Sequence, residues 1–261
     1  MDKKLVADTS VQNVLTWFRQ FGPTDEGYLI AHFARFTETA KFALAEKQNT
    51  HLTVLDVGAH WLHNAFFYAN EGHTVICLET GSQLESESVQ NVARAMAAET
   101  KRISRLDKAD GIRDLATDSV DLILLCEIIE HLAFNPIRMW EQVYRVMRPG
   151  GSIIITTPNA FYGPKIEEKM AAIRNRVFGI PIEEIIGYGT FGHHWKEYSV
   201  DELKRYFAML SPDFQIGRSV TATTRETTTV FPDESGEQIF IEVRLPAKAA
   251  GIVVQPPWDV D

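Results

Sequence analysis

Apolar positions near the start of the chain recur at helical spacing. Val11, Val14, Leu15 and Phe18 fall at i, i+3, i+4 and i+7 and predict a helix with one apolar face. Gly22 and Pro23 interrupt it, and a second helix is expected to carry Leu29, Phe33, Phe36, Ala40 and Leu44 along one side. From residue 52 the pattern changes to short β-rich runs separated by helical stretches. Strands are expected over 52–57, 74–79, 102–106, 120–126 and 152–157, with helices around 63–70, 86–99, 128–131 and 136–147. Such alternation predicts βαβ units and a parallel sheet. The strands are continuous apolar runs, as a sheet covered by helices on both faces requires.

After Pro158 the alternation breaks. Residues 159–198 form an insertion with one expected helix (Ile166, Met170, Ile173, Val177), followed by a glycine-rich loop, GYGTFG, at 187–192. Ser199 and Glu202 have capping-box spacing ahead of Leu203, Tyr206 and Phe207, which marks a helix start. Late strands are expected over 214–221 and 238–245, and the tail from Pro246 is expected to be extended and loosely ordered. The chain thus divides into a helical cap (1–48), an α/β domain (49–245) with the insertion as a substrate lid, and a tail (246–261).

Composition narrows the partners. The chain has 261 residues, 45% of them hydrophobic, which suffices for one α/β domain with added elements. Its net charge of −9 repels phosphate backbones and anionic membrane faces, so nucleic acid is a disfavoured partner. The two cysteines, Cys77 and Cys126, sit in apolar strands without metal-ligand spacing and read as core packing. No signal-peptide core or membrane-spanning apolar stretch is present, so a cytoplasmic protein is expected. The oligomeric state stays open.

The first chemistry-bearing stretch is Val54-Leu55-Asp56-Val57-Gly58-Ala59-His60, a strand that ends in an acid and a glycine before a helix. In a parallel sheet the ligand crevice lies at the carboxyl ends of the strands. Gly58 lets backbone approach a ligand. Glu79 ends the next strand, about 20 residues further along, where an acid can bind both ribose hydroxyls. Together they point to a nucleoside-containing cofactor. A dinucleotide would want GxGxxG for its pyrophosphate, whereas here only the first glycine of Gly58-Ala59-His60-Trp61-Leu62-His63 is present.

Three further stretches follow in order: VDLILLCEIIEHL (120–132), RVMRPGGSIIITTPN (145–159) and GHHWKEYSVDEL (192–203). With the first motif, this order resembles the class I S-adenosylmethionine-dependent methyltransferases over roughly residues 30 to 210. The likeness is strongest to the group that holds ubiquinone-pathway and polysaccharide-type O-methyltransferases. The resemblance implies a Rossmann-like, seven-stranded, mostly parallel sheet with helices on both faces and an antiparallel last strand. It implies S-adenosylmethionine as cofactor, S-adenosylhomocysteine as its product, and Asp56, Gly58 and His60 in the cofactor loop. Glu79 would take the ribose, Asp110 the adenine amino group (with Asp107 and Asp114 as competitors), and Glu127 the methionine portion. Arg148-Pro149-Gly150-Gly151 reads as a structural turn before the fifth strand. The family usually has glycines where this chain has His60 and Leu62.

Methyl transfer to a hydroxyl needs a near-attack geometry and removal of a proton. His131, after the fourth strand, is the expected general base. His193, His194 and Tyr162 are the expected acceptor contacts from the insertion. On a helix, Glu127, Glu130 and His131 would share one face and, with His193 or His194, could hold Mg²⁺ or Mn²⁺, as in small-RNA 2′-O-methyltransferases. Metal-free relatives share this ExxEH spacing, so a divalent metal is not favoured. The expectation is a methyltransferase for an oxygen of a small-molecule or saccharide acceptor. Its alternatives are a catalytically silent methyltransferase-like binding protein and a metal-dependent RNA methyltransferase.

Overall fold

A computed structural model describes residues 9–47, 50–175, 177, 179–189, 192–224, 228–231 and 234–255. Its strands are β1 (Thr53–Val57), β2 (Thr74–Glu79), β3 (Glu99–Arg102), β4 (Val120–Cys126), β5 (Met147–Pro158), β6 (Gln215–Thr224), β7 (Thr228–Phe231) and β8 (Gln238–Leu245). They form one sheet in the order β3-β2-β1-β4-β5-β8-β6-β7. The first five run parallel, and β8 pairs antiparallel with both β5 and β6. The sheet has eight strands rather than seven. The threonine-rich segment of β7 folds back on β6, with Thr224 opposite Thr228, and extends the edge. The third strand also starts and ends earlier than its apolar residues suggested. Its polar run Glu99–Arg102 pairs at the sheet edge, and Ile103 N–H closes the pairing on the Glu79 carbonyl at 2.8 Å.

The chain moves outward from β1 to β2 and β3, then crosses back to β4 on the other side of β1. The carboxyl ends of β1 and β4 therefore diverge, which opens a crevice at that edge. Side chains alternate between two cores. Leu55, Val57, Ile123, Leu125, Ile153 and Ile155 face the layer made by α5 (Ile137–Val146) and α8 (Val200–Leu210). Val54, Leu122, Leu124 and Ile154 face the layer of α1 (Val11–Arg19), α2 (Glu26–Leu44), α3 (His63–Asn70) and α4 (Glu87–Met96). Two covered faces are why the strands read as unbroken apolar runs. Ser10 and Asp25 cap α1 and α2, and Ser199 with Glu202 forms the expected capping box on α8.

Four local readings change. Arg148-Pro149-Gly150-Gly151 is a bulge inside β5, since Val120 pairs with Met147 while Leu122 pairs with Ser152. Gly150 has φ +85, and a Cβ on Gly151 would lie 2.9 Å from the Arg148 carbonyl oxygen. The expected helix at 128–131 is a single 3-10 turn, Ile129–His131. The insertion holds two helices, α6 (Gly163–Arg174) and α7 (Ile182–Gly187), neither of which buries a residue. The start of the tail is pinned, because Asp213 accepts hydrogen bonds from the backbone of Ala249, Ala250 and Gly251 and from the Tyr144 hydroxyl. Residues 256–261, including the end of the QPPWDVD sequence, lie outside the described residues.

Trp140 fixes the α5–α8 layer. It is fully buried, meets Phe207 edge-on at 5.1 Å and donates its indole N–H to the Tyr206 hydroxyl at 2.6 Å. Trp140→Ala is expected to cost about 3–5 kcal/mol in urea unfolding followed by circular dichroism, and Trp140→Phe clearly less.

Candidate active site

The turn after β1 starts at Gly58, whose φ of +79 suits glycine and whose N–H bonds the Leu78 carbonyl at 2.8 Å. A Cβ there would press on the Ile128 side chain, so any other residue must both adopt the left-handed backbone and push Ile128 aside. His60 and Leu62, which stand where the resemblance expects glycines, are also left-handed, at φ 50 and 67. The backbone path is kept although the residue types are not, at roughly 1–2 kcal/mol of strain per residue. Trp61 packs among the aromatic residues of the α1–α3 layer.

Glu79, at the tip of β2, is buried and holds this turn. Its Oε2 accepts the His60 N–H at 2.6 Å, and its Oε1 accepts the N–H groups of Thr80 and Gly81 at 2.6 and 2.8 Å. Oε2 thus keeps a lone pair for a further donor such as a ribose hydroxyl. Beyond it lies a cavity of about 630 Å³ lined by Thr80, Ser104, Asp110 and Gly111. Of the three competing acids, Asp107 is tied to Arg105 and Asp114 to Lys101, while Asp110 accepts the Ser104 hydroxyl, at 2.7 Å.

A second cavity, of about 640 Å³, lies under α2 over the ends of β4, β6 and β8, with Ile30, His32, Phe33, Arg35, Glu127 and Gln238 in its walls. Between the two, above β1, is a gap of about 20 Å³ enclosed by Arg35, Asp56, Gly58, His60, His63 and Asn64. Asp56 is buried there, with Oδ2 lacking a hydrogen-bond partner among the described residues. Burial pushes its carboxyl up to about 7 and His63 down to about 3.

Glu127 and Glu130 part company. Glu127 has φ 56, which breaks the helical register and turns its carboxylate toward Arg35, Thr156 and Gln238. Glu130 is fully buried on the opposite side, where Oε2 accepts the Thr157 hydroxyl at 2.9 Å and burial pushes its carboxyl up to about 7. The three-residue face expected of Glu127, Glu130 and His131 does not form. Instead Glu130, His131 and His194 bring ligand atoms within 4.8 Å of one another, a set that could hold a divalent ion.

His131 is half-buried. Its Nδ1 lies 3.0 Å from the His193 carbonyl, so the proton sits there and Nε2 keeps its lone pair. Burial and the neighbouring His194 lower its pKa, which keeps it neutral at physiological pH. His193 contributes that carbonyl, while its buried ring faces Glu184, Tyr188 and Trp195. His194 meets His131 edge-on at 4.8 Å, and Tyr162 caps α6. None of His131, His193, His194 and Tyr162 lines the three cavities above. Arg35, Asn64, His32 and Gln238 do, and no motif announced them.

Comparison with known proteins identifies the family. Residues 29–222 match the family model described as a methyltransferase domain, and the chain belongs to that family. No curated protein matches it. Among solved structures it is similar to a Thermotoga maritima S-adenosylmethionine-dependent methyltransferase, described as a possible histamine N-methyltransferase (TM-score 0.56, 14% identity, 90% of this chain and 99% of that one). It is also similar to a Burkholderia thailandensis 1,6-didemethyltoxoflavin N1-methyltransferase bound to its substrate and S-adenosylhomocysteine (TM-score 0.53, 12% identity, 92% of each chain). A third is a putative methyltransferase from Haloferax volcanii in complex with a methyltransferase activator (TM-score 0.54, 17% identity, 83% and 92%). The protein is an S-adenosylmethionine-dependent methyltransferase with the Rossmann-like fold. Unpaired buried polar atoms around the β1 gap and the side-chain-free approach at Gly58 fit that cofactor, which supplies an activated methyl group on a sulfonium. Among the described residues no helix is long and apolar enough to cross a membrane.

The raised pKa of Asp56 has a defined sign. The folded chain keeps a proton that the unfolded chain releases above about pH 4, so stability is lost as pH rises toward 7. Asp56→Asn is expected to be more stable than the wild type at pH 8 without cofactor. The gap should narrow by about 2–3 kcal/mol at pH 5, measured by chemical denaturation.

Proposed function

We propose that this methyltransferase acts on an oxygen of a small-molecule or saccharide acceptor. The observation that carries the reading is the second cavity. It lies at the carboxyl edge beside Glu127, and its size of about 640 Å³ suits a small ligand rather than a polymer. Its walls combine apolar surface from Ile30 and Phe33 with polar groups from His32, Glu127 and Gln238, the mixture that orients a small polar molecule. A net charge of −9 further disfavours a nucleic-acid acceptor.

In this reading His131 is the first candidate for the base: its Nε2 is left to take a proton by the His193 carbonyl on Nδ1, and the acceptor oxygen would have to reach past the walls of the second cavity to meet it. Within the insertion 159–198, Lys165 and Lys169 of α6 both donate to Glu197. His32 is the second candidate for the base, because it lines the acceptor cavity itself and burial lowers its pKa to about 4. The two candidates separate in the pH profile. With His131 as base, kcat/KM falls on the acid side at a pKa below the ordinary histidine value and His32→Gln leaves the profile in place; with His32, the fall lies at about pH 4 and His131→Gln leaves it in place.

His131→Gln is expected to lower kcat by about 10²–10⁴ while S-adenosylhomocysteine binding, read by calorimetry, stays unchanged. If His32→Gln carries that loss instead, His131 is a structural residue. The reaction as proposed takes no metal, so a chelator is expected to leave turnover unchanged. Loss of turnover with EDTA, restored by Mg²⁺ or Mn²⁺, would assign Glu130, His131 and His194 to an ion.

A further inference from the structure

Large apolar side chains left together in water mark a surface that a partner covers. Among the described residues fourteen large apolar side chains are exposed, and ten of them lie in the insertion 159–198. They include Ile166, Met170 and Ile173 on α6 and Ile182, Ile185 and Ile186 on α7. Both helices rest against one loop. Lys165 and Lys169 of α6 donate to Glu197, and Glu184 of α7 lies 3.8 Å from His193. Neither helix buries a residue, although a helix of 12 residues is marginal in water and draws most of its stability from packing an apolar face.

On α6 the three apolar residues fall at i, i+4 and i+7 and form one stripe with the spacing of a coiled-coil seam. The flank with Lys165 and Lys169 is turned to Glu197. The other flank carries Glu167 near the start of the helix and Arg174 at its end, about 10 Å apart along the axis. Both are exposed, and neither forms an ion pair among the described residues. Two copies of α6 laid antiparallel, stripe on stripe, bring like flanks together. Glu167 of each then stands beside Arg174 of the other, and the pair forms twice about a two-fold axis. A parallel pair would instead set this flank against the lysines of the other copy, which Glu197 already holds. A membrane surface fits less well. An interfacial helix keeps Lys and Arg free for anionic headgroups, whereas here the lysines are paired and the chain carries a net charge of −9.

We propose that this face is the seam of a homodimer, in which α6 packs antiparallel on α6 of a second copy. Ile166, Met170 and Ile173 supply its apolar core, and Glu167 with Arg174 sets its direction and register. A stable interface buries roughly 800 Å² per partner, more than one stripe provides. The exposed isoleucines of α7, held to the same loop, are the apolar surface at hand for the remainder.

Sedimentation velocity on the full chain over a concentration series tests the seam. The wild type is expected to sediment as a dimer that dissociates on dilution. Met170→Lys puts a charge into the seam and is expected to weaken association by about 100-fold or more. Met170 is exposed in the single chain, so this change leaves its fold intact, as circular dichroism should show. Glu167→Arg alone and Arg174→Glu alone set like charges across the axis and should each weaken association by about 10-fold. Mixing those two variants makes every cross-axis pair opposite in charge again and should restore dimers of unlike copies, as should the Glu167→Arg/Arg174→Glu double variant. A wild type that stays monomeric at every concentration overturns the proposal, as does a dimer indifferent to all three substitutions. Loss in both charge variants without recovery on mixing overturns the antiparallel pairing. A monomer that floats with phosphatidylglycerol vesicles overturns it too and gives the face to a membrane.

Discussion

The site depends on one carboxylate, that of Glu79. It gathers N–H groups from His60, Thr80 and Gly81 and so ties the turn after β1 to the tip of β2. That turn runs through left-handed backbone at Gly58, His60 and Leu62, two of them residues that resist it. A charge-assisted set of hydrogen bonds is strong enough to offset such strain. It acts alongside the backbone bond from Gly58 to Leu78, which holds the start of the same turn. The departure from the family's glycines is thus absorbed by side-chain hydrogen bonding, and the path of the chain is unchanged.

Around this turn the edge of the sheet carries three spaces in strand order. One lies by β2 and β3, one above β1, and one over β4, β8 and β6. The order follows from topology, since the reversal between β1 and β4 is where the carboxyl ends part. The central space is the most closed of the three. Asp56 there is pushed toward its neutral form by burial, and its Oδ2 and the Nε of Arg35 lack hydrogen-bond partners among the described residues.

Much of the fold was readable in the residues because two covered faces write themselves as apolar runs. The core strands β1, β2, β4, β5 and β8 lie where those runs are, and the Ser199–Glu202 cap stands as its spacing implied. Reading failed where hydrophobic pattern was absent or misleading. Edge strand β3 is polar, and β7 is a four-residue strand, TTVF, at the other edge. The ExxEH stretch looked helical by spacing, yet the positive φ at Glu127 sends its two acids to opposite sides of the edge. Arg35 belongs to no motif. Its one signal was a charged residue directly before Phe36 on the apolar stripe of α2, and such a position shows its meaning only once its buried neighbours are known.

The place of β8 bears on how the molecule is made. It lies between β5 and β6, pairing with β5 over Gly151–Leu245 and Pro158–Gln238 and with β6 along its other side. β6 and β7 therefore cannot join the five parallel strands until synthesis has passed residue 245, and until then β5 presents an open edge to solvent. Such late, long-range closure slows folding and leaves the nascent chain exposed to pairing with other chains. Chaperone demand and yield on expression should follow the fate of this last strand more than that of the motifs that precede it.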